Sequence, residues 1–297
     1  MTTAFVLSGG GSLGAVQVGM LQALCERGVT PDLLVGASAG ALNAAYIAGR
    51  GFSPEVLDDL ATVWGSLRRN DVFPLSPARQ LLALAGARPS LCSSDGLRRL
   101  IASNLPYERV EDAALPVHVV TTDVLSGVEV TLSSGDAVSA VLASAAIPAV
   151  FEPVSIDGRW LFDGGVADNT PISQAVALGA SRIYVLPAGV SCALPSPPRS
   201  ALGVAIHALT LLIEQRLLVE VTALHQRVEL VVLPPLCPLS VSSADFRHSV
   251  SLIARARAAS GRWLDSGGAA VAHPEQFLSL HSHTHPPTHA AAHSEVG

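Results

Sequence analysis

Short apolar runs alternate with helical patterns over the first fifty residues of the chain. Residues 4–8 form an apolar run that ends in glycines, and Leu33–Val35 form a second run, both typical of buried strands. Apolar residues at helical spacing follow the first run until Gly28, and residues 41–48 follow the second run. This order of strand, helix, strand and helix predicts an α/β fold with a mainly parallel central sheet covered by helices on both faces.

The same alternation continues along most of the chain. Further strands are predicted at Val117–Thr122, Val128–Leu132, Arg182–Leu186 and Glu229–Leu233. Further helices are predicted at Pro54–Leu67, Asp95–Asn104, Ala137–Ala145, Ile172–Leu178, Leu202–Gln226 and Ala244–Trp263. Residues 70–93 and the proline-rich residues 187–200 lack this pattern and are predicted to be loops or lids.

The composition changes near residue 266 of the 297-residue chain. Residues 1–265 are interpreted as a single folded domain, and residues 266–297 as a tail rich in histidine, alanine and proline. The tail histidines are His273, His281, His283, His285, His289 and His293. Low complexity predicts a disordered end. The alternative is a weak metal-binding tract, because alternate histidines can converge on one ion.

Composition excludes several classes of protein. Hydrophobic residues make up 49% of the chain and charged residues 14%, which excludes intrinsic disorder. All 18 basic side chains are arginine, so Schiff-base and Walker-type lysine chemistry is excluded. A net charge of −6 argues against a nucleic-acid partner.

The same features suggest where the protein works. The first residues carry no basic segment before the apolar run, and no apolar run reaches the length of a membrane-spanning helix. The expected location is therefore cytoplasmic, with any membrane contact peripheral. Four cysteines at wide spacing are expected to be reduced thiols: Cys25, Cys92, Cys192 and Cys237.

A glycine-rich loop, Gly9 to Gly14, follows the first strand and opens a helix. Its G-x-G-x-x-G pattern fits a dinucleotide site, which would need an acidic residue at the carboxyl end of the second strand. Asp32 has roughly the right spacing but precedes that strand. The other interpretation is an oxyanion hole, because backbone without Cβ atoms can direct several N–H groups at one oxygen.

The second strand runs into a G-x-S-x-G sequence formed by Gly36, Ser38 and Gly40. A strand before this motif and a helix after it are the context of a nucleophile elbow, which exposes a serine hydroxyl on a strained turn. The alternative is a turn of small residues that serves close packing.

The base that would activate Ser38 has two candidates. A triad would use Asp163 with His207, His225 or His248, but an elbow this early in the chain is atypical of α/β-hydrolases. In a dyad, Asp163 would act directly, with its pKa raised by the apolar strand end before it. Asp163 could also belong to an ordinary Asp-Gly turn, as predicted for Asp157-Gly158.

Together these motifs resemble the patatin-like phospholipase family, specifically its short bacterial members. The resemblance rests on Gly9–Gly14, Gly36–Gly40 and Asp163–Gly165, in the family's order, and on Thr121–Val124, Ala143-Ser144 and Asn169. It covers about residues 4–190 well and the remainder to residue 265 loosely. One departure is Leu13, which stands where the family usually has arginine or lysine.

The resemblance implies a patatin-like three-layer fold and a site that needs neither metal nor cofactor. Ser38 would be the nucleophile and Asp163 the proton acceptor. The oxyanion hole would comprise Gly9, Gly10, Gly11 and Gly14, the elbow Gly36 and Gly40, and the dyad turn Gly164 and Gly165.

The expected function is a serine acyl hydrolase, a phospholipase A or lipid esterase that works through an acyl-enzyme. Its partner would be a lipid or fatty-acyl ester, approached from a membrane or micelle surface. Two alternatives remain: a patatin-fold lipid-binding or regulatory protein with a silent dyad, and a dinucleotide-binding oxidoreductase.

Overall fold

The computed structural model describes residues 1–74, 76–189, 192, 196–198, 201–271, 273, 275 and 278. In this part of the chain the strands are β1 (Thr3–Leu7), β2 (Leu33–Ala37), β3 (Val117–Asp123), β4 (Glu129–Leu132), β5 (Val154–Ile156), β6 (Arg159–Asp163), β7 (Arg182–Leu186) and β8 (Glu229–Val232). The helices are α1 (Gly14–Cys25), α2 (Ala39–Arg50), α3 (Pro54–Ser66), α4 (Arg69–Val72), α5 (Pro77–Leu84), α6 (Asp95–Asn104), α7 (Ala137–Ser144), α8 (Ile172–Ala177), α9 (Ala201–Leu224) and α10 (Ser249–Asp265).

Five strands form a parallel sheet in the order β3-β2-β1-β7-β8. Three further strands extend it in the antiparallel sense: β4 and β6 pair with β3, and β5 pairs with β6. Parallel strands need crossovers and are normally covered on both faces, which the long intervening helices provide here.

Side chains of the parallel strands alternate between two hydrophobic cores. In β1, Phe5 and Leu7 belong to one core, and Ala4 and Val6 belong to the other. The first core is completed by α1, α2, α3, α6, α7 and α10. The second is completed by α8 and α9. The sheet is therefore the middle of three layers, which confirms the predicted fold class.

Two strands meet end to end along one edge of β3. Val120 pairs with Ala37 of β2 and also with β4, and the next residue, Thr121, pairs with Asp163 of β6 and also with β4. Because β4 occupies one edge of β3, strands β2 and β6 share the other edge. They run in opposite directions along it, so their carboxyl ends face each other. The carboxyl ends of β2 and β6 are thereby brought together, and they carry Ser38 and Asp163.

The segment predicted as a loop at residues 70–93 is partly helical, so that prediction is wrong for α4 and α5. The α5 helix begins with Pro77 at its first turn, and the Ser76 hydroxyl accepts a hydrogen bond from the Arg79 N–H. This Ser-Pro start was present in the sequence. The last long helix, α10, begins at Ser249 instead of the predicted Ala244.

One predicted turn was confirmed. The Asp157-Gly158 turn joins β5 to β6, with positive φ values of 49° and 76°. No helix in the described ranges is long and apolar enough to cross a membrane. Among the cysteines, Cys192 and Cys237 lie close in space, with their sulfur atoms 3.8 Å apart.

Packing continues beyond residue 265. Residues Gly268–Ala270 form a 3-10 turn, and Leu278 is buried in the second core with Leu217 and Val221 of α9. The tail histidines at 281, 283, 285, 289 and 293 lie outside the described residues. Half of the residues of the predicted lid at 187–200 lie outside them as well.

Candidate active site

Ser38 occupies a strained turn between β2 and α2. Its φ of 51° and ψ of −122° lie in a region that non-glycine residues rarely adopt. The Ser38 N–H donates to the Ser144 hydroxyl at 2.9 Å, and that hydroxyl donates to the Val120 carbonyl at 2.6 Å. Helix α2 follows with Gly40, where a Cβ atom would lie 2.1 Å from the Leu7 carbonyl oxygen. This is the geometry expected of the predicted elbow.

The Ser38 hydroxyl donates a hydrogen bond to Asp163 Oδ2 at 2.7 Å. The other carboxylate oxygen, Oδ1, accepts from the Gly165 N–H at 2.8 Å, within the 3-10 turn Gly164–Val166 that follows β6. The Thr122 hydroxyl donates to the Asp163 carbonyl at 3.0 Å. Both oxygens of the carboxylate are therefore partnered, and its position is fixed by backbone as well as by serine.

Burial changes the acid–base behaviour of Asp163. The residue is only 6% exposed, and loss of solvation raises its pKa from the usual 3.8 to about 6. The hydrogen bonds from Ser38 and Gly165 lower the pKa but do not offset the burial. A carboxylate with this pKa is a stronger base than an exposed aspartate and is still ionised at neutral pH.

The glycine loop lies beside the serine, but its four glycines differ in whether their N–H groups are already hydrogen-bonded. The Gly9 N–H donates to the Asn169 carbonyl at 3.0 Å, and the Gly14 N–H donates within the 3-10 turn to the Gly11 carbonyl. Neither group is available to a substrate. The N–H groups of Gly10 and Gly11 have no hydrogen-bond partner among the described residues, and both glycines line the same cleft as Ser38. Gly11 has a φ of 57°.

A buried polar network holds this loop in place. Gln17 Nε2 donates to the carbonyls of Ser8 and Leu186 at 2.7 and 3.0 Å. Asn43 Nδ2 donates to Gln17 Oε1 at 2.9 Å, and Trp64 Nε1 donates to Asn43 Oδ1 at 2.8 Å. Sequence reasoning missed these side chains. The signal in the sequence was a polar residue, Gln17 or Asn43, within each of two largely apolar helical stretches.

An apolar cavity opens at Ser38. Its empty volume is about 780 Å³, counted with the open space at its mouth. The wall begins at Gly11, Ser38 and Ala39 and continues with Leu42, Tyr46, Leu60, Val63, Trp64, Phe73, Leu97, Leu100, Ile101, Val141 and Phe151. Along α2 the lining residues Leu42 and Tyr46 follow Ser38 by four and eight positions, so the cavity runs about 12 Å beside the helix. The wall is almost entirely apolar, which suits an alkyl chain more than a polar group.

A more polar cleft opens on the other side of the dyad. Ser38, Asp163 and the glycine loop form its floor, and His207, Thr210 and Ile213 of α9 form one wall. Arg69 of α4 is the one arginine among its described lining residues. Leu13, the departure from the family pattern, is buried and also contacts this cleft.

The three histidines considered for a triad are not bonded to the serine. His225 Nδ1 contacts the carbonyls of Val221 and Thr222, and His248 lies 3.6 Å from Asp245. His207 lines the cleft, but Ser38 Oγ donates to Asp163. The Asp32 side chain accepts from the Thr3 N–H at 2.7 Å, so it lies at the amino ends of β1 and β2 and not at the carboxyl end of β2, where a ribose-binding acidic residue would be needed.

Comparison with known proteins identifies the family to which the chain belongs. Residues 5–176 match the family model described as Patatin-like phospholipase. The match covers more than half of the chain, so the protein belongs to the patatin-like phospholipase family, a family of lipid ester hydrolases.

Its relatives are distant and mostly longer. An uncharacterized NTE family protein of Mycobacterium tuberculosis is 32% identical over 179 residues, which are 60% of this chain and 46% of that protein. Patatin-like phospholipase domain-containing protein 7 of Mus musculus is 30% identical over 189 residues, 63% of this chain and 13% of the other. The chain thus spans less than half the length of either relative. VipD from Legionella pneumophila aligns with a TM-score of 0.46 and 17% identity over 89% of this chain and 67% of that chain.

Proposed function

We propose that the protein is a serine acyl hydrolase that cleaves long-chain lipid esters through a Ser38–Asp163 dyad. The observation that carries the proposal is the 2.7 Å hydrogen bond between Ser38 Oγ and Asp163 Oδ2, at the mouth of an apolar cavity. The test compares hydrolysis of p-nitrophenyl esters of graded chain length, and of phospholipid vesicles, by the wild type and Ser38→Ala.

In the first step, Ser38 Oγ attacks the ester carbonyl while its proton passes to Asp163 Oδ2. The N–H groups of Gly10 and Gly11 stabilise the oxyanion of the tetrahedral intermediate, because they have no partner among the described residues of the protein. The alcohol leaves with the proton held by Asp163, and an acyl-enzyme remains. Once the alcohol has carried that first proton away, Asp163 takes a proton from water, and the hydroxide attacks the acyl-enzyme. Asp163 returns this second proton to Ser38 Oγ as the bond between Oγ and the acyl carbon breaks and the fatty acid leaves.

The fatty-acyl chain occupies the cavity beside α2. Leu42 is placed about 6 Å along the helix from Ser38, midway along the lining surface. We expect Leu42→Trp to lower kcat/KM for long-chain esters by about 10- to 100-fold while changing butyrate hydrolysis less than about 3-fold, because the indole blocks the deeper part of the cavity. Leu178→Trp, on an exposed residue outside the cavity, is the matched control. Equal losses at all chain lengths would contradict this placement.

The ester's polar part lies in the cleft beside Arg69. With leucine at position 13, Arg69 is the cation placed to meet a phosphate-bearing head group. We expect Arg69→Gln to lower hydrolysis of anionic phospholipid by about 10-fold and to leave p-nitrophenyl ester hydrolysis nearly unchanged. Arg98→Gln, on α6 and outside the described cleft lining, is the control. A uniform loss on both substrate classes would contradict the head-group role.

Activity should depend on the ionisation of Asp163. Only the carboxylate accepts a proton, so kcat/KM should fall about tenfold per pH unit below the Asp163 pKa of about 6 and level off above it. Because an imidazole titrates in the same range, the profile is measured in wild type and in His207→Ala. The dyad predicts the same acidic limb in both, and loss of that limb in His207→Ala would contradict it.

Contact with a lipid surface is supported by apolar side chains around the cleft. Leu81 is 70% exposed beside the cleft-lining Gln80, and Leu212 is 68% exposed beside the cleft-lining Ile213. Val166 lines the cleft itself and is 40% exposed. These side chains would insert into a membrane or micelle surface and place the cleft over its substrate.

A further inference from the structure

Far from the dyad along α9, two histidines and a glutamate converge. His225 follows the last residue of α9, and His273 and Glu275 lie in the segment after α10. One ring nitrogen from each histidine and one carboxylate oxygen all lie within 4.8 Å of one another. The two imidazole rings are 6.2 Å apart at their centres and inclined by 56°.

The hydrogen bonds of His225 leave one nitrogen available. Its Nδ1 lies 2.9 Å from the Thr222 carbonyl and 3.2 Å from the Val221 carbonyl, and both are acceptors only. Nδ1 therefore carries the proton in the neutral ring, and Nε2 has a free lone pair. A backbone carbonyl that fixes the tautomer in this way is the usual partner of a metal-binding histidine.

The carboxylate is also only partly satisfied. Glu275 Oε1 lies 3.1 Å from His273 Nδ1, whereas Oε2 is buried and has no hydrogen-bond partner among the described residues. A buried carboxylate oxygen without a donor is costly unless a cation meets it. Two imidazoles and one carboxylate form the ligand set that Zn²⁺ and similar first-row divalent ions prefer.

We infer that His225, His273 and Glu275 bind a Zn²⁺-type divalent cation that fastens the C-terminal segment to the end of α9. The segment already contributes Leu278 to the hydrophobic core that Leu217 and Val221 of α9 help to form. Zn–N bonds of about 2.0 Å require the three side chains to close in only slightly from their present separation. Since α9 also contributes Thr210 and Ile213 to the cleft wall, the ion would steady that wall without contacting the dyad.

The test is Zn²⁺ titration of the full chain by calorimetry, with Co²⁺ absorption as a second readout. We expect one site per chain, at least about 30-fold weaker binding in both His225→Ala and Glu275→Gln, and a Zn²⁺-dependent rise in melting temperature that both variants lose. A matched variant replaces His281, His283, His285, His289 and His293 with alanine and should still bind within about 10-fold of wild type.

The controls separate this site from other sources of binding. The metal-free melting temperature of each variant shows that it folds, and Glu275→Gln, at a partly exposed position, serves if His225→Ala does not fold. Absence of Zn²⁺ binding by wild type, or binding by His225→Ala and Glu275→Gln that equals wild type, overturns the inference. Titration of Ser38→Ala should match wild type, so this result is independent of esterase activity.

Discussion

Asp163→Asn should remove ester hydrolysis and stabilise the fold at the same time. The replacement amide keeps an oxygen to accept from the Gly165 N–H but can no longer take the Ser38 proton, so kcat/KM should fall by about 10³- to 10⁴-fold. Steady-state hydrolysis of a p-nitrophenyl ester measures the loss. A variant that retains more than a tenth of the wild-type activity would exclude Asp163 as the base.

The stabilisation follows from the raised pKa of the buried carboxyl. Because the folded-state pKa is about 6 and the usual value is 3.8, the folded state binds the extra proton between these pH values, and wild-type stability falls as pH rises through that window. Above pH 6 the charged group costs about 3 kcal/mol. Asp163→Asn should therefore raise the free energy of unfolding by about 1–3 kcal/mol at pH 8 and by almost nothing near pH 4, as measured by urea titration. Equal effects at both pH values would contradict the burial argument.

Ser38→Ala should abolish turnover by at least about 10⁴-fold and prevent labelling by a fluorophosphonate probe. The hydroxyl is the only group of this residue that the proposed chemistry uses, and alanine fits the same turn. Ser242→Ala is the matched control, since Ser242 lines the same cleft without contacting Asp163. Labelling that persists in Ser38→Ala, or that disappears in Ser242→Ala, would place the nucleophile elsewhere.

Local sequence patterns can indicate the parts of the candidate site that depend on backbone geometry. The elbow around Ser38 and the turn after Asp163 are short motifs that require glycine, because neighbouring backbone atoms approach them closely. Such motifs can be recognised in the sequence before the fold is known. The residues alone left a Ser38–Asp163 dyad and a histidine triad as alternatives, and the family resemblance favoured the dyad. Ser38 and Asp163 meet because of the shared edge of β3, where β2 and β6 end against each other, and pairing over such a sequence distance leaves no local signal.

Other features depend on packing among distant segments. The apolar cavity is lined from α2, α3, α6 and α7, whose residues have the same spacing as ordinary core positions. Gly10 is a candidate oxyanion donor and Gly9 is not, because the Asn169 carbonyl already accepts a hydrogen bond from the Gly9 N–H. Asn169 comes from a distant part of the sequence, so this difference is not visible in the glycine motif. In the region predicted as a loop, hydrophobic periodicity did not indicate a helix, whereas Ser76 followed by Pro77 is a typical helix start and marks the beginning of α5.

The dyad differs from a histidine triad in what activates the serine, and fluorophosphonate labelling tests this most directly. Intact-mass and peptide analysis should find one adduct, on the peptide that contains Ser38. The labelling rate should fall at least about 100-fold in Asp163→Asn and stay within about 3-fold of wild type in His207→Ala. An adduct on another residue, or a labelling rate that depends on His207 and not on Asp163, would contradict the account.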